Sequence, residues 1–85
     1  MHGARRWYDE QHPGLGDEFL RSVEAAFARI QRSPDLYPVV DEEIRRAPVR
    51  RFPFAIYYEI EPDQIVTYAV WHYRRDPHIW QQRAR

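Results

Sequence analysis

A chain of 85 residues makes one small domain, below the size at which a single apolar core is comfortably stable alone, so a partner that completes the core is a natural expectation. It has no cysteine, which excludes disulfides and thiolate metal sites; no apolar run approaches the ~20 residues of a membrane span, and the start lacks the pattern of a signal peptide, so the expected compartment is the cytoplasm. The 13 basic residues, all arginine, balance 13 acids, but residues 1–43 hold five arginines against nine acids and residues 44–85 hold eight against four, which points to an anionic partner for the second half.

Residues 4–11 favour helix, and "HPGLG" breaks it with Pro13, Gly14 and Gly16. In "DEFLRSVEAAFARIQRS", with Asp17 as a candidate cap, the apolar Phe19, Leu20, Val23, Ala26, Phe27 and Ile30 recur at helical spacing, and Pro34 ends the pattern. These two segments read as a helical hairpin with a tight turn. The connector "PDLYPVVDEE" has room for one short strand near Val39. Three strand patterns follow, "IRRAPVRR", "FAIYYEI" and "IVTYAVWH", the last two joined by the turn signal "EPDQ". Pro48 cannot donate a ladder hydrogen bond and suits an edge or a bulge. Beyond them, Asp76 before Pro77 is the signature of a short C-terminal helix, with Trp80 expected to fold back on the sheet. The fold class is therefore α+β: an N-terminal helical hairpin on one face of a three- to four-stranded antiparallel sheet, with a short C-terminal helix.

Closing "EPDQ" with Glu61 opposite Gln64 pairs Ile60 with Ile65, Tyr58 with Thr67, Ile56 with Ala69 and Phe54 with Trp71. Those residues form an apolar face for the helices, extended by Val49 and Ala47. The other face then shows Arg46, Arg50, Tyr57, Tyr68 and His72. A slip of one residue would reverse the faces of any strand.

No hydrolase triad, phosphate-cradling glycine loop or metal motif is present, and His2, His12, His72 and His78 share no ligand spacing with carboxylates, so no metal or small-molecule cofactor is expected. What remains is the arginine and aromatic set around the hairpin. Arginines that neutralise phosphate, rings that stack on bases and a histidine that exchanges protons near neutral pH suit RNA binding or metal-free RNA cleavage. Against that, the arginine pairs at 45–46 and 50–51 equally serve to protect a sheet edge, and Tyr57, Tyr58 and Tyr68 equally serve as packing residues.

The words "WYDEQHPGLGDEF", "RRFPFAIYY" and "HYRRDPHIW", in this order from about Trp7 to Trp80, resemble the RelE/ParE superfamily of bacterial type II toxins, in particular its ParE-like, plasmid-stabilisation branch. The resemblance implies a growth-inhibiting toxin neutralised by a cognate antitoxin whose flexible, often acidic segment wraps it. It also implies one of two targets: RelE-like members cleave mRNA on the ribosome without a metal, using basic residues of the sheet, whereas ParE-like members act on DNA gyrase. Ala55 stands where the nucleases align a basic strand residue, which favours gyrase and a binding mode without turnover; Arg75 and His72 fall near residues that the nucleases use. The catalytic candidates under the nuclease alternative are His72, Arg75 and Arg46, and the residues implied in target or antitoxin contact are Arg46, Arg50, Arg51, Tyr57, His72, Arg74 and Arg75. Family members usually begin with a β-strand and a longer first helix, so residues 1–85 read as a single, N-terminally shortened toxin domain. A further alternative is a non-toxic remnant that binds the antitoxin.

Overall fold

The computed structural model describes residues 2–72. Two helices, α1 (His2–Gln11) and α2 (Leu15–Arg32), precede four strands, β1 (Val39–Asp41), β2 (Ile44–Val49), β3 (Phe54–Glu61) and β4 (Gln64–His72). The strands form one antiparallel sheet in the order β1-β2-β3-β4, with both helices before the sheet in sequence, as the α+β reading expects. The C-terminal helix expected around Asp76, Pro77 and Trp80 lies outside the described residues. No helix among the described residues is long and apolar enough to cross a membrane.

The turn between the helices is set by glycine. Gly14 has φ 89°, a left-handed conformation that costs a glycine nothing, and it starts α2 without a side-chain cap. Asp17 is not the cap that the sequence suggests. The helix begins two residues before it, and the capping carboxylate comes from α1: Gly16 N–H donates to Asp9 Oδ1 at 2.8 Å. Asp17 instead accepts from Arg5 at 2.9 Å, an exposed ion pair. Gly16 also marks the closest approach of the helices, since a Cβ there would stand 2.5 Å from the Arg5 carbonyl oxygen.

The helix-covered face of the sheet carries the main core. Phe19, Val23, Ala26 and Ile30 lie on one stripe of α2 and pack on Ala47, Val49, Ile56 and Tyr58. Full burial of side chains of this size contributes about 1.5–3 kcal/mol each. At one end of the core, Tyr8 of α1 joins an aromatic cluster: its ring lies 4.8 Å from Phe52, and Phe19 lies 5.1 Å from Phe52 and 5.0 Å from Phe54, all three pairs edge to face.

Pro34 stops α2 and opens a 3-10 turn (Pro34–Leu36) that the sequence reading lacked. Its backbone is held by side chains from the sheet: Tyr58 OH donates to the Pro34 carbonyl, and Arg45 Nη1 donates to the carbonyls of Asp35 (3.1 Å) and Tyr37 (2.6 Å). The connector thereby has its carbonyls paired without belonging to a regular element. Pro48 is not on an end strand of the sheet. The short β1 pairs only with Arg45 and Ile44, however, so among the described residues β2 has a strand on one side alone by the time it reaches Pro48, opposite Ala55. The Pro48 carbonyl accepts from Arg29 of α2 at 3.3 Å.

The β3–β4 register follows the sequence expectation from Glu61 opposite Gln64 to Tyr58 opposite Thr67, then departs from it. The register shifts between Tyr58 and Tyr57, with Tyr68 as the extra residue of β4, so that Tyr57 pairs with Ala69, Ile56 with Val70, Ala55 with Trp71 and Phe54 with His72. Ile56 opposite Ala69 and Phe54 opposite Trp71 are therefore overturned. The bulge places Val70 against the main core, moves Ala69 and Trp71 to the outer face and brings His72 to the helix-covered side. The physical gain is that isoleucine meets valine in the core rather than alanine.

Candidate macromolecule-binding face

The sheet face turned away from the helices carries a second apolar cluster in which Ile44, Ala55 and Tyr57 are buried, with Tyr68, Ala69 and Trp71 packed around them. Arg46 is exposed on this face, opposite Tyr57 in the β2–β3 ladder. Tyr57 exposes only 2 % of its surface, so it belongs to the floor of the face. Tyr68, lifted out of the ladder by the bulge, donates its hydroxyl to Glu59 Oε1 at 3.2 Å. Partial burial, together with that bond to a carboxylate, pushes the Tyr68 pKa above its ordinary 10.0.

Arg50 and Arg51 do not lie on a strand. They stand at the β2–β3 turn, where both are exposed and Arg51 takes φ 74° in the left-handed region. A non-glycine residue there costs about 1–2 kcal/mol. Phe52 N–H donates to the Val49 carbonyl at 3.3 Å, and the half-buried Phe52 anchors the turn in the aromatic cluster while the two arginine side chains stay outside. The turn therefore presents cations at one end of the sheet. Arg45 has a different role from its neighbour: it faces the helices and fixes the connector.

His72 does not share the face of Arg46. Its ring lies 5.3 Å from that of Phe54 on the helix-covered side, and together with Gly3, Ala4, Trp7, Tyr8, Val70 and others it lines an apolar cavity of about 590 Å³ between α1 and the end of β4. The structure thus brings together Arg46, Tyr57, Tyr68 and Trp71, sets Arg50 and Arg51 at the adjoining turn, and places His72 on the opposite side of the sheet from Arg46, in a cavity that Trp71 also lines. Arg74 and Arg75 lie outside the described residues. Sequence reasoning missed Trp71 on the outer face and the cavity beside Trp7. The only sequence signal for either was an apolar "VW" that fits both faces.

No group of three or more histidine, cysteine, aspartate or glutamate side chains among the described residues could hold a metal ion. The outer face sets an exposed, planar guanidinium beside aromatic neighbours, with two further exposed arginines at the adjoining turn, an arrangement that suits an anionic or mixed macromolecular surface.

No match is found among curated proteins or among solved structures. The family model described as "ParE toxin of type II toxin-antitoxin system, parDE" matches residues 2–77, which covers both helices and all four strands of the described sheet. The chain belongs to this ParE toxin family, within the RelE/ParE superfamily of type II toxin–antitoxin systems.

Proposed function

We propose that this toxin arrests growth by binding a macromolecular target, DNA gyrase, through its outer sheet face and the adjoining β2–β3 turn, without turnover. The observation that carries this reading is the opposite placement of His72 and Arg46. A metal-free RNA cleavage site needs its proton carrier within hydrogen-bond reach of the reacting group that the cations bind. Here the imidazole stands against Phe54 on the helix side, while Arg46 stands on the outer side. Ala55, buried on the outer face, adds no cation where a nuclease of the superfamily carries one.

Gyrase as target entails action in the cytoplasm. Neutralisation then follows by occlusion, with the cognate antitoxin of the system laid over the same face or the turn. The residues assigned to these contacts are Arg46, Arg50, Arg51 and Trp71, with Arg74 and Arg75 from the segment that follows.

The test is a supercoiling assay with purified gyrase beside primer extension on messages from induced cells. Inhibition of gyrase in proportion to bound toxin, with messages intact, supports the proposal. Ribosome-dependent cuts in message that vanish in His72→Ala, with gyrase unaffected at saturating toxin, would replace it with the nuclease alternative. Normal growth with folded protein present would point to the remnant that only binds antitoxin.

A further inference from the structure

The cavity of about 590 Å³ between α1 and the end of β4 falls within the ~300–1,000 Å³ of sites that enclose an organic group. Gly3 and Ala4 of α1 leave room in its wall, and a Cβ at Gly3 would meet no atom within 4 Å. Rings supply much of the rest: Trp7, Tyr8, Phe54 and Trp71 line it, with Trp7 edge-on to Tyr8 at 5.1 Å. Trp7 still exposes 56 % of its surface, so a large part of that ring wall has no cover among the described residues. No carboxylate or guanidinium of the described residues lines the cavity, which therefore suits an apolar or aromatic group rather than an ion.

His72 lines the same cavity, and the chain runs on from it with residues 73–85, "YRRDPHIWQQRAR", which lie outside the described residues. Beyond Tyr73, which adjoins the strand, the large apolar side chains of this segment are the adjacent Ile79 and Trp80. Asp76 and Pro77 carry the pattern of a helix cap and first helical position, which places that pair in the first turn after a change of direction. Trp80 is eight residues from His72, a span of at most ~29 Å, and a return to a cavity beside His72 uses only part of it. A tether this short gives an effective concentration on the order of millimolar, which favours the chain's own side chains over those of a separate molecule.

We infer that the cavity is the seat of the Ile79–Trp80 pair of the same chain, with the Trp80 ring laid against Trp7 and the small surface of Gly3 and Ala4. Docking there covers the aromatic wall and adds apolar core to a domain that is short of it. It also anchors the preceding segment at both ends, at His72 by pairing with Phe54 and at Ile79 by the cavity. Arg74 and Arg75, between the anchors, are then held at the end of the sheet that carries Arg50 and Arg51, whose turn contributes Pro53 to the same cavity. The inference concerns the fold and holds whichever target the arginines meet.

Nuclear Overhauser spectra of the labelled whole chain, recorded without any target, test it. Cross-peaks are expected from the Trp80 indole protons to the methyls of Ala4 and Val70, both of which face the cavity. Gly3→Leu places a branched side chain where α1 has space for it, and the cross-peaks should be lost. Trp80→Ala should lower the midpoint of urea unfolding and shift the Ala4 and Val70 methyl resonances, and Trp80→Phe, which keeps a ring, should restore most of both. Circular dichroism confirms that the variants are folded, and the wild-type spectrum decides the matter even where a variant is not. Absence of Trp80 cross-peaks to Ala4 and Val70, cross-peaks to Ala69 on the outer face instead, or a folded Trp80→Ala chain with unchanged methyl resonances would each overturn the inference.

Discussion

The helix-covered and outer faces of the same sheet use aromatic residues in opposite ways. On the covered face Tyr8, Phe19, Phe52 and Phe54 are locked edge to face by α2, and Tyr58, fully buried, ends in a bond to the Pro34 carbonyl. On the outer face Tyr57, Tyr68 and Trp71 pack over the small Ala55 and Ala69, with no helix of the described residues above them, and share the surface with Arg46. The first arrangement supplies the stability that a small domain lacks; the second presents rings and cations together. A single extra residue at Tyr68 decides which side chains of β4 serve which purpose.

The largest expected effect lies in the covered face. Phe19→Ala removes a side chain with 0 % exposure that touches both Phe52 and Phe54, and should cost about 3–5 kcal/mol in urea unfolding, enough to unfold a domain of this size. Gly16→Ala comes next. In an open helix this change gains stability, but here the new methyl meets the backbone oxygen of Arg5, so a loss of about 1–3 kcal/mol is expected and a gain would contradict the close crossing of the helices. Tyr58→Phe deletes the hydroxyl that holds the connector and should cost about 1 kcal/mol.

The tyrosines also fix a pH dependence. Burial raises the pKa of Tyr8 and Tyr58 above 10.0, with Arg45 partly opposing it for Tyr58, and Tyr68 is raised as well. Above pH 10 the unfolded chain loses these protons before the folded one does, so the folded state binds more protons and stability falls as pH rises. Their contribution is fully present below pH 10, and Tyr58→Phe should flatten the alkaline fall in melting temperature. The smallest effect belongs to the exposed Arg5–Asp17 pair, where Arg5→Ala should change stability by no more than about 1 kcal/mol.

Deletion of Tyr68 tests the bulge directly. It removes the extra residue of β4 and leaves the pairs on either side in place, with Thr67 opposite Tyr58, Ala69 opposite Tyr57, Val70 opposite Ile56 and His72 opposite Phe54. The deletion variant should keep its covered face, change stability by no more than about 1 kcal/mol through loss of the Tyr68–Glu59 bond and leave the His72 proton resonances in place. A large loss of stability, or displaced His72 resonances, would show that β4 pairs with β3 without the bulge.

The helices, the positions of all four strands and the covered face up to Tyr58 were legible because helical spacing in "FLRSVEAAFARI" and the two-residue turn in "EPDQ" are local signals. The bulge was not, since "VTYAVWH" has no glycine or proline to mark it and alternates acceptably in either register. That single slip moved His72 and Trp71 to the wrong faces, and with them the make-up of the candidate site. Asp9 as the cap of α2 was equally hidden, because it comes from another helix. The arginines divide for a similar reason: Arg45 and Arg46 are adjacent in sequence, but the two-residue period of a strand sends one to the connector and the other to the surface.

The most direct test of the outer-face account is inhibition of purified gyrase by the wild-type chain and by an Arg46→Ala, Arg50→Ala double variant with an unchanged circular dichroism spectrum. The account predicts inhibition by the wild type and a loss of at least about tenfold in potency in the folded double variant. Full potency in that variant, or no inhibition by saturating wild-type protein, would contradict it.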